Sequence, residues 1–152
     1  MDFLVERALQ SAPAEDDFAH MSQANIKVIG VGGAGNNMVG WLYKKGIKGA
    51  EIIATNTDHQ HLQITGADKK FLIGRDCTRG LGCGGFPNKG AEAAQESLMA
   101  LKEALKSADM VFVCAGMGGG TGTGAAPVVA QVAKDTGSIV IGTVTMPFNI
   151  ER

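Results

Sequence analysis

From residue 26 onward, short apolar runs alternate with longer stretches whose apolar residues recur every three or four positions. The first pattern is that of buried strands, the second that of helices packed on one face. Ile26-Lys27-Val28-Ile29-Gly30-Val31 predicts a first strand, followed by a glycine turn and a helix over about 36–45. A second strand over 51–55 ends in Asn56-Thr57-Asp58, and Phe71-Leu72-Ile73 predicts a short third one. Residues 74–88 read as a long loop. Ala94, Leu98, Leu101 and Leu105 then share one face of a helix over 89–106, with acidic residues near its start and lysines near its end, as the helix dipole favours. A fourth strand over 110–115, a glycine loop over 116–124, a helix over 124–135 with Pro127 in its first turn, and a strand over 138–144 complete the series. Residues 1–25 break the rhythm. Phe3, Leu4 and Leu9 form one short stripe that Ser11-Ala12-Pro13 ends, so this part reads as an arm or a short helix.

Strands that alternate with helices imply a three-layer α/β domain over 26–152, with a doubly wound, mostly parallel, Rossmann-like sheet. Right-handed crossovers bring the loops that follow the strands to one edge. The glycine turns near 30–35, 80–85 and 116–124 should therefore meet in one crevice.

Composition narrows the classes. A hydrophobic share of 45% against 19% charged residues favours a folded chain over a disordered one. A net charge of −1 leaves no electrostatic footprint for nucleic acid or an anionic membrane. No run approaches a membrane span, and the first residues lack the pattern of a leader peptide. Cys77, Cys83 and Cys114 are odd in number and loosely spaced, which fits a reducing cytoplasm better than a disulfide framework.

The chemistry lies in the glycines. Gly116-Met117-Gly118-Gly119-Gly120-Thr121-Gly122-Thr123-Gly124 joins a buried strand to a helix. The first N–H groups of a helix lack intrahelical partners and favour negative charge, so such a loop is a place for phosphate. It contains no lysine and is therefore not a Gly-x-x-x-x-Gly-Lys-Ser/Thr loop. Helix-end N–H groups and a bound cation would have to neutralise the phosphates. Gly30-Val31-Gly32-Gly33-Ala34-Gly35 matches Gly-x-Gly-x-x-Gly between a strand and a helix, and Asp58 closes the next strand, so a dinucleotide such as NAD is an open alternative. Thr78-Arg79-Gly80-Leu81-Gly82-Cys83-Gly84-Gly85 suits a loop that folds its N–H groups around a terminal phosphate. His59 and His61 lack a third ligand at metal-site spacing. Cys83 has no acid–base neighbour in sequence and reads as a small loop residue. No catalytic residue and no metal-ligating set is assigned.

Taken in order, Gly32-Gly33-Ala34-Gly35-Asn36-Asn37, Ala54-Thr55-Asn56-Thr57-Asp58, Thr78-Arg79-Gly80-Leu81-Gly82, Gly118-Gly119-Gly120-Thr121-Gly122-Thr123-Gly124 and Thr145-Met146-Pro147-Phe148 resemble the nucleotide loops of the tubulin/FtsZ GTPases, and of FtsZ in particular. The resemblance implies a GTP/GDP pocket with Mg2+. In it, Gly32, Gly33, Ala34, Gly35 and Asn36 would line phosphates and ribose. Asn56 and Asp58 would stand near the nucleotide and its magnesium ion, and Gly82, Cys83 and Gly84 would enclose the γ-phosphate. Gly118, Gly119, Gly120, Thr121, Gly122, Thr123 and Gly124 would cradle the α- and β-phosphates, and Glu151 would contact ribose. It further implies a cell-division protein that assembles with itself head to tail, hydrolyses GTP between subunits and meets other division proteins at the division site, with no nucleic acid and no membrane insertion. Cys83 stands where alanine is more usual in this family, Phe86 where many members have Asn, and Arg152 where bacterial members usually have glycine. The resemblance also places the base-reading helix, the catalytic loop and a second domain beyond residue 152. The chain as given is then expected to bind nucleotide weakly and not to hydrolyse it alone. A scaffold piece that folds without binding is the third reading.

Overall fold

Five strands form one parallel sheet in the computed structural model, which describes residues 23–151. They are β1 (Ile26–Val31), β2 (Ala50–Asn56), β3 (Lys69–Leu72), β4 (Met110–Gly116) and β5 (Ile139–Thr145), in the order β3-β2-β1-β4-β5. The arm over 1–22 and Arg152 lie outside the described residues.

Successive strand residues point to opposite faces, so each central strand supplies two cores. Val28 and Ile52 pack with Val39 and Leu62 from α1 (Gly32–Lys45) and α2 (His59–Ile64). Ile29, Ile53 and Val113 face the opposite layer. There they meet Ala93 and Ala94 of α4 (Pro87–Glu96), Leu101 and Leu105 of α5 (Leu98–Leu105), and Val129 of α6 (Gly120–Asp135). One further short helix, α3 (Arg75–Thr78), follows β3. The expected three-layer, doubly wound sheet is present. After β1 the chain winds outward through β2 and β3, then crosses back to β4 and β5. The winding reverses between β1 and β4, where open α/β sheets hold ligands.

Several boundaries differ from the sequence expectation. α1 begins at Gly32 and α6 at Gly120, each inside a glycine stretch read as loop. Pro127 accordingly sits inside α6 and not in its first turn. The helix expected over 89–106 is two helices, divided at Ser97, whose hydroxyl accepts from Gly74 N at 3.1 Å. The supposed loop over 74–88 contains α3 and the first residues of α4.

Side chains tie the amino ends of the strands. Lys27 is buried, and its Nζ donates to the carbonyls of Ala104 (2.8 Å) and Lys106 (3.1 Å) where α5 ends. The same ammonium lies 3.3 Å from Glu51, which also pairs with Lys69 at 2.7 Å. Burial pushes the Glu51 carboxyl up, but hydrogen bonds and charge from Lys69 and Lys27 outweigh it and hold the group below its ordinary value. Asn25 bridges Asp109 and Ser107, and Ser138 bonds the Ala108 carbonyl at 2.7 Å.

Candidate functional site

The carboxyl ends of β1, β4 and β5 are held together by backbone and small residues. At Gly32 φ is +74°, and a Cβ there would stand 2.8 Å from Gly122 N and 3.2 Å from the Thr121 Cβ, so the turn after β1 and the start of α6 touch through glycine. Gly35 fits against the Cys114 carbonyl of β4 in the same way. Met117 N donates to Thr145 O at 2.8 Å, tying the glycine loop to the end of β5. Gly118 N is held by Thr123 Oγ1 at 3.0 Å.

These turns enclose a cavity of about 590 Å3, lined by Val31, Gly33, Ala34, Gly116, Met117, Gly119, Gly120, Thr121, Gly122 and the stretch from Thr145 to Phe148. Gly33 and Gly119 differ from the packing glycines: a Cβ at either would meet nothing within 4 Å. Their lack of side chain keeps the cradle open. The cavity is of small-molecule size, and its floor is the N-terminal turn of the 16-residue helix α6. Nothing acidic stands in that first turn, so its free N–H groups and the helix dipole suit an anion.

A second pair of loops braces the cradle from the β2 side. Gly82 N donates to Thr57 O at 3.1 Å and His59 N to Gly80 O at 2.9 Å, so the loop carrying Gly82, Cys83 and Gly84 runs along the end of β2. Cys83 is buried, and Gly120 packs on its Cβ. Thr57 Oγ1 lies 2.7 Å from Thr121 Oγ1.

The expected residues are not all in one place. Gly33, Ala34, Gly119, Gly120, Thr121 and Gly122 line the cradle, Gly32, Gly35, Gly118 and Thr123 hold its turns together, and Gly124 packs instead on Pro87 and Ala91 of α4. Asn36 is fully buried and turns to a separate cavity of about 250 Å3 between α1 and α2, beside Lys44, His61 and Thr65. Neither atom of its amide has a hydrogen-bond partner among the described residues. Asn56 spends its carbonyl oxygen on the backbone of Thr57 (2.9 Å) and Asp58 (3.3 Å) and its amide on His61 (3.3 Å). Asp58 caps α2 by accepting from His61 N at 3.0 Å, so it is partly engaged in structure. Glu151 ends a 3₁₀ turn, Asn149–Glu151, and its side chain lies outside what the structure describes. Among the described residues, no group of three or more His, Cys, Asp or Glu could hold a metal, and no helix is long and apolar enough to cross a membrane.

The family model for the GTPase domain of the tubulin/FtsZ family matches residues 25–152. The chain belongs to the tubulin/FtsZ family. Within that family it is similar to cell division protein FtsZ 2 of Methanocaldococcus jannaschii, with 59% identity over 138 residues, or 91% of this chain and 36% of that protein. FtsZ 2 of Haloferax volcanii is 51% identical over 147 residues, covering 97% of this chain and 36% of the relative. Among solved structures, an empty FtsZ dimer from M. jannaschii superposes with a TM-score of 0.87 at 49% identity, over 93% of this chain and 42% of that one. The chain thus spans well under half the length of these FtsZ relatives.

Sequence reasoning left Thr57 out of the site. It lies between two residues that were assigned, and only the tertiary contact with Thr121 marks it. Met117 and Thr145 through Phe148 were likewise not assigned, although the Pro-Phe pair was part of the FtsZ resemblance.

Proposed function

We propose that the cradle binds GTP and GDP with Mg2+, and that the chain is the nucleotide-binding part of an FtsZ-like cell-division protein. In the whole protein, filaments would form head to tail and GTP would be hydrolysed where subunits meet, at the division site and in contact with other division proteins. The observation that carries the reading is the convergence of three glycine-bearing or Pro-bearing turns, after β1, β4 and β5, on one cavity at the reversal of the sheet. Phosphates would lie against the first N–H groups of α6 and the hydroxyl of Thr121. Gly33 and Gly119 would give them room, and ribose would lie toward Pro147 and Glu151. Gly82, Cys83 and Gly84 would close over a terminal phosphate. Magnesium would accompany the phosphates, with Asp58 as the acidic group at the end of β2. No described side chain is given a catalytic part, and positioning together with oriented backbone dipoles would do the work on this side of the interface. Membership of the family supports the reading, as does an M. jannaschii FtsZ relative solved as a dimer.

Calorimetry with GDP–Mg2+ and with NAD tests it directly. Heat with GDP, none with NAD, and a melting temperature that rises with GDP concentration are expected, because a ligand of the native state alone must stabilise it. Tight NAD binding would restore the dinucleotide alternative. No shift with either at millimolar concentration would favour a scaffold that does not bind.

A further inference from the structure

Thr57, just after β2, Cys83, in the loop between α3 and α4, and Thr121, in the first turn of α6, meet side chain to side chain. Their contacts are 2.7 Å between the two hydroxyl oxygens, 3.4 Å from Cys83 Sγ to Thr57 Oγ1, and 3.5 Å from Thr121 Oγ1 to Cys83 Sγ. Each group has one proton to give. The thiol donates to Thr57 and the Thr121 hydroxyl donates to sulfur, which leaves the Thr57 proton for Thr121. The three bonds form a closed ring in which every proton is used internally. Thr57 and Cys83 are buried, whereas Thr121 also borders the cradle.

A closed ring has a consequence for any phosphate that enters, and this rests on the nucleotide reading above. To donate to a phosphate oxygen, Thr121 must withdraw its proton from Cys83 Sγ. It need not give up the bond it accepts from Thr57. We propose that Thr57 and Cys83 are positioning residues of opposite sign that act through the Thr121 hydroxyl: Thr57 drives its proton outward to the ligand, and Cys83 draws it inward and weakens binding.

The bond to sulfur is long and sulfur is a weak acceptor, so its opposition is modest, whereas hydrogen bonds to an ionised acceptor are the strong ones. GDP affinity in the presence of Mg2+, measured by calorimetry on the full chain, reads both effects. Cys83→Ala should tighten GDP by about threefold, and the near-isosteric Thr57→Val should loosen it by about tenfold. In a Thr121→Val background neither substitution should move affinity by more than about 1.5-fold, because the proton through which both act is gone. Melting temperatures without ligand, taken for every variant, separate loop packing from proton direction. Shifts of the same sign in the two single variants, or shifts that persist without the Thr121 hydroxyl, would overturn the ring. Should Cys83→Ala not fold, Thr57→Val with and without Thr121→Val decides alone: a loss confined to the background that keeps Thr121 supports the ring, and no loss overturns it. If the unaltered protein gives no heat with GDP, the nucleotide reading itself has failed, a result distinct from GDP binding that the variants leave unchanged.

Discussion

The two ends of the same sheet are held by opposite means. At the amino ends, charged and amide side chains make the ties: buried Lys27 takes up carbonyls at the end of α5 and pairs with Glu51, and at the surface Asn25 bonds Asp109 and Ser107. At the carboxyl ends around the cradle, glycines, hydroxyls and backbone contacts bring the loops together, and the N–H groups opening α6 have no side-chain cap. One end is satisfied from within. The other is rigid through close approach yet leaves its donors for something from outside. Stability and binding should therefore respond to different residues.

The largest effect that bears on this contrast is expected at Lys27. Lys27→Ala strands two carbonyls at the end of α5 and leaves Glu51 with Lys69 alone. The cost should be about 3 kcal/mol of unfolding free energy in urea titration, within the range for breaking a buried, fully paired charge. GDP affinity of the folded protein should stay within twofold or so, since the site lies at the far end of the strands. A variant that melts normally but loses the ligand would break the division of labour. Next comes the reverse experiment. A Cβ at Gly119 meets nothing within 4 Å and φ there is −93°, so Gly119→Val should shift the melting temperature by less than about 2 °C. Its side chain would stand in the cradle, and GDP affinity should fall about 30-fold, or roughly 2 kcal/mol. Unchanged affinity would mean that the ligand lies elsewhere.

The contrast also explains what could be read from the chain. The central strands β1, β2 and β4 were legible because burial on both faces demands runs such as Val28-Ile29 and Val111-Phe112-Val113, whereas β3 and β5 lie at the sheet edges, are largely exposed, and were legible from the apolar and β-branched residues that strands favour. The glycine turns were legible as turns. Their lengths were not, because the helices start inside them: Gly32 and Gly120 open α1 and α6, where composition argues for loop. α2 carried a cap signal at Asp58, but an acid closing a second strand in a Rossmann-like pattern points equally to a ribose. The break at Ser97 left no local mark, since it answers to Gly74 twenty-three residues earlier. The glycines that line the cradle were legible from their spacing. Thr57 was not, because the hydroxyl it meets lies sixty-four residues away.

One acid near the carboxyl edge uses side-chain charge in the manner of the other end, and it gives the smallest effect. Glu96 accepts from the backbone N–H of Asp76 (3.0 Å) and Cys77 (3.1 Å), capping α3 outside the cradle. Those bonds hold the Glu96 carboxyl below its ordinary value. Burial, and then the hydrogen bond and charge of Glu96, push the Cys77 thiol up to about 11. A thiol that holds its proton more tightly when folded contributes stability that is intact below its ordinary value of 9.0 and is lost as pH rises through about 11. Alkylation of Cys77 by iodoacetamide should accordingly be slow at pH 8 and rise with pH until the thiol titrates. Glu96→Gln removes the carboxylate's charge but not the burial, so the rate at pH 8 should increase while Cys77 stays less reactive than a free thiol. GDP affinity should not follow it, because the acid ends α4 and caps α3, and does not line the cradle. An affinity that tracked the charge of Glu96 would show that the cradle feels its surroundings through more than the glycines that shape it.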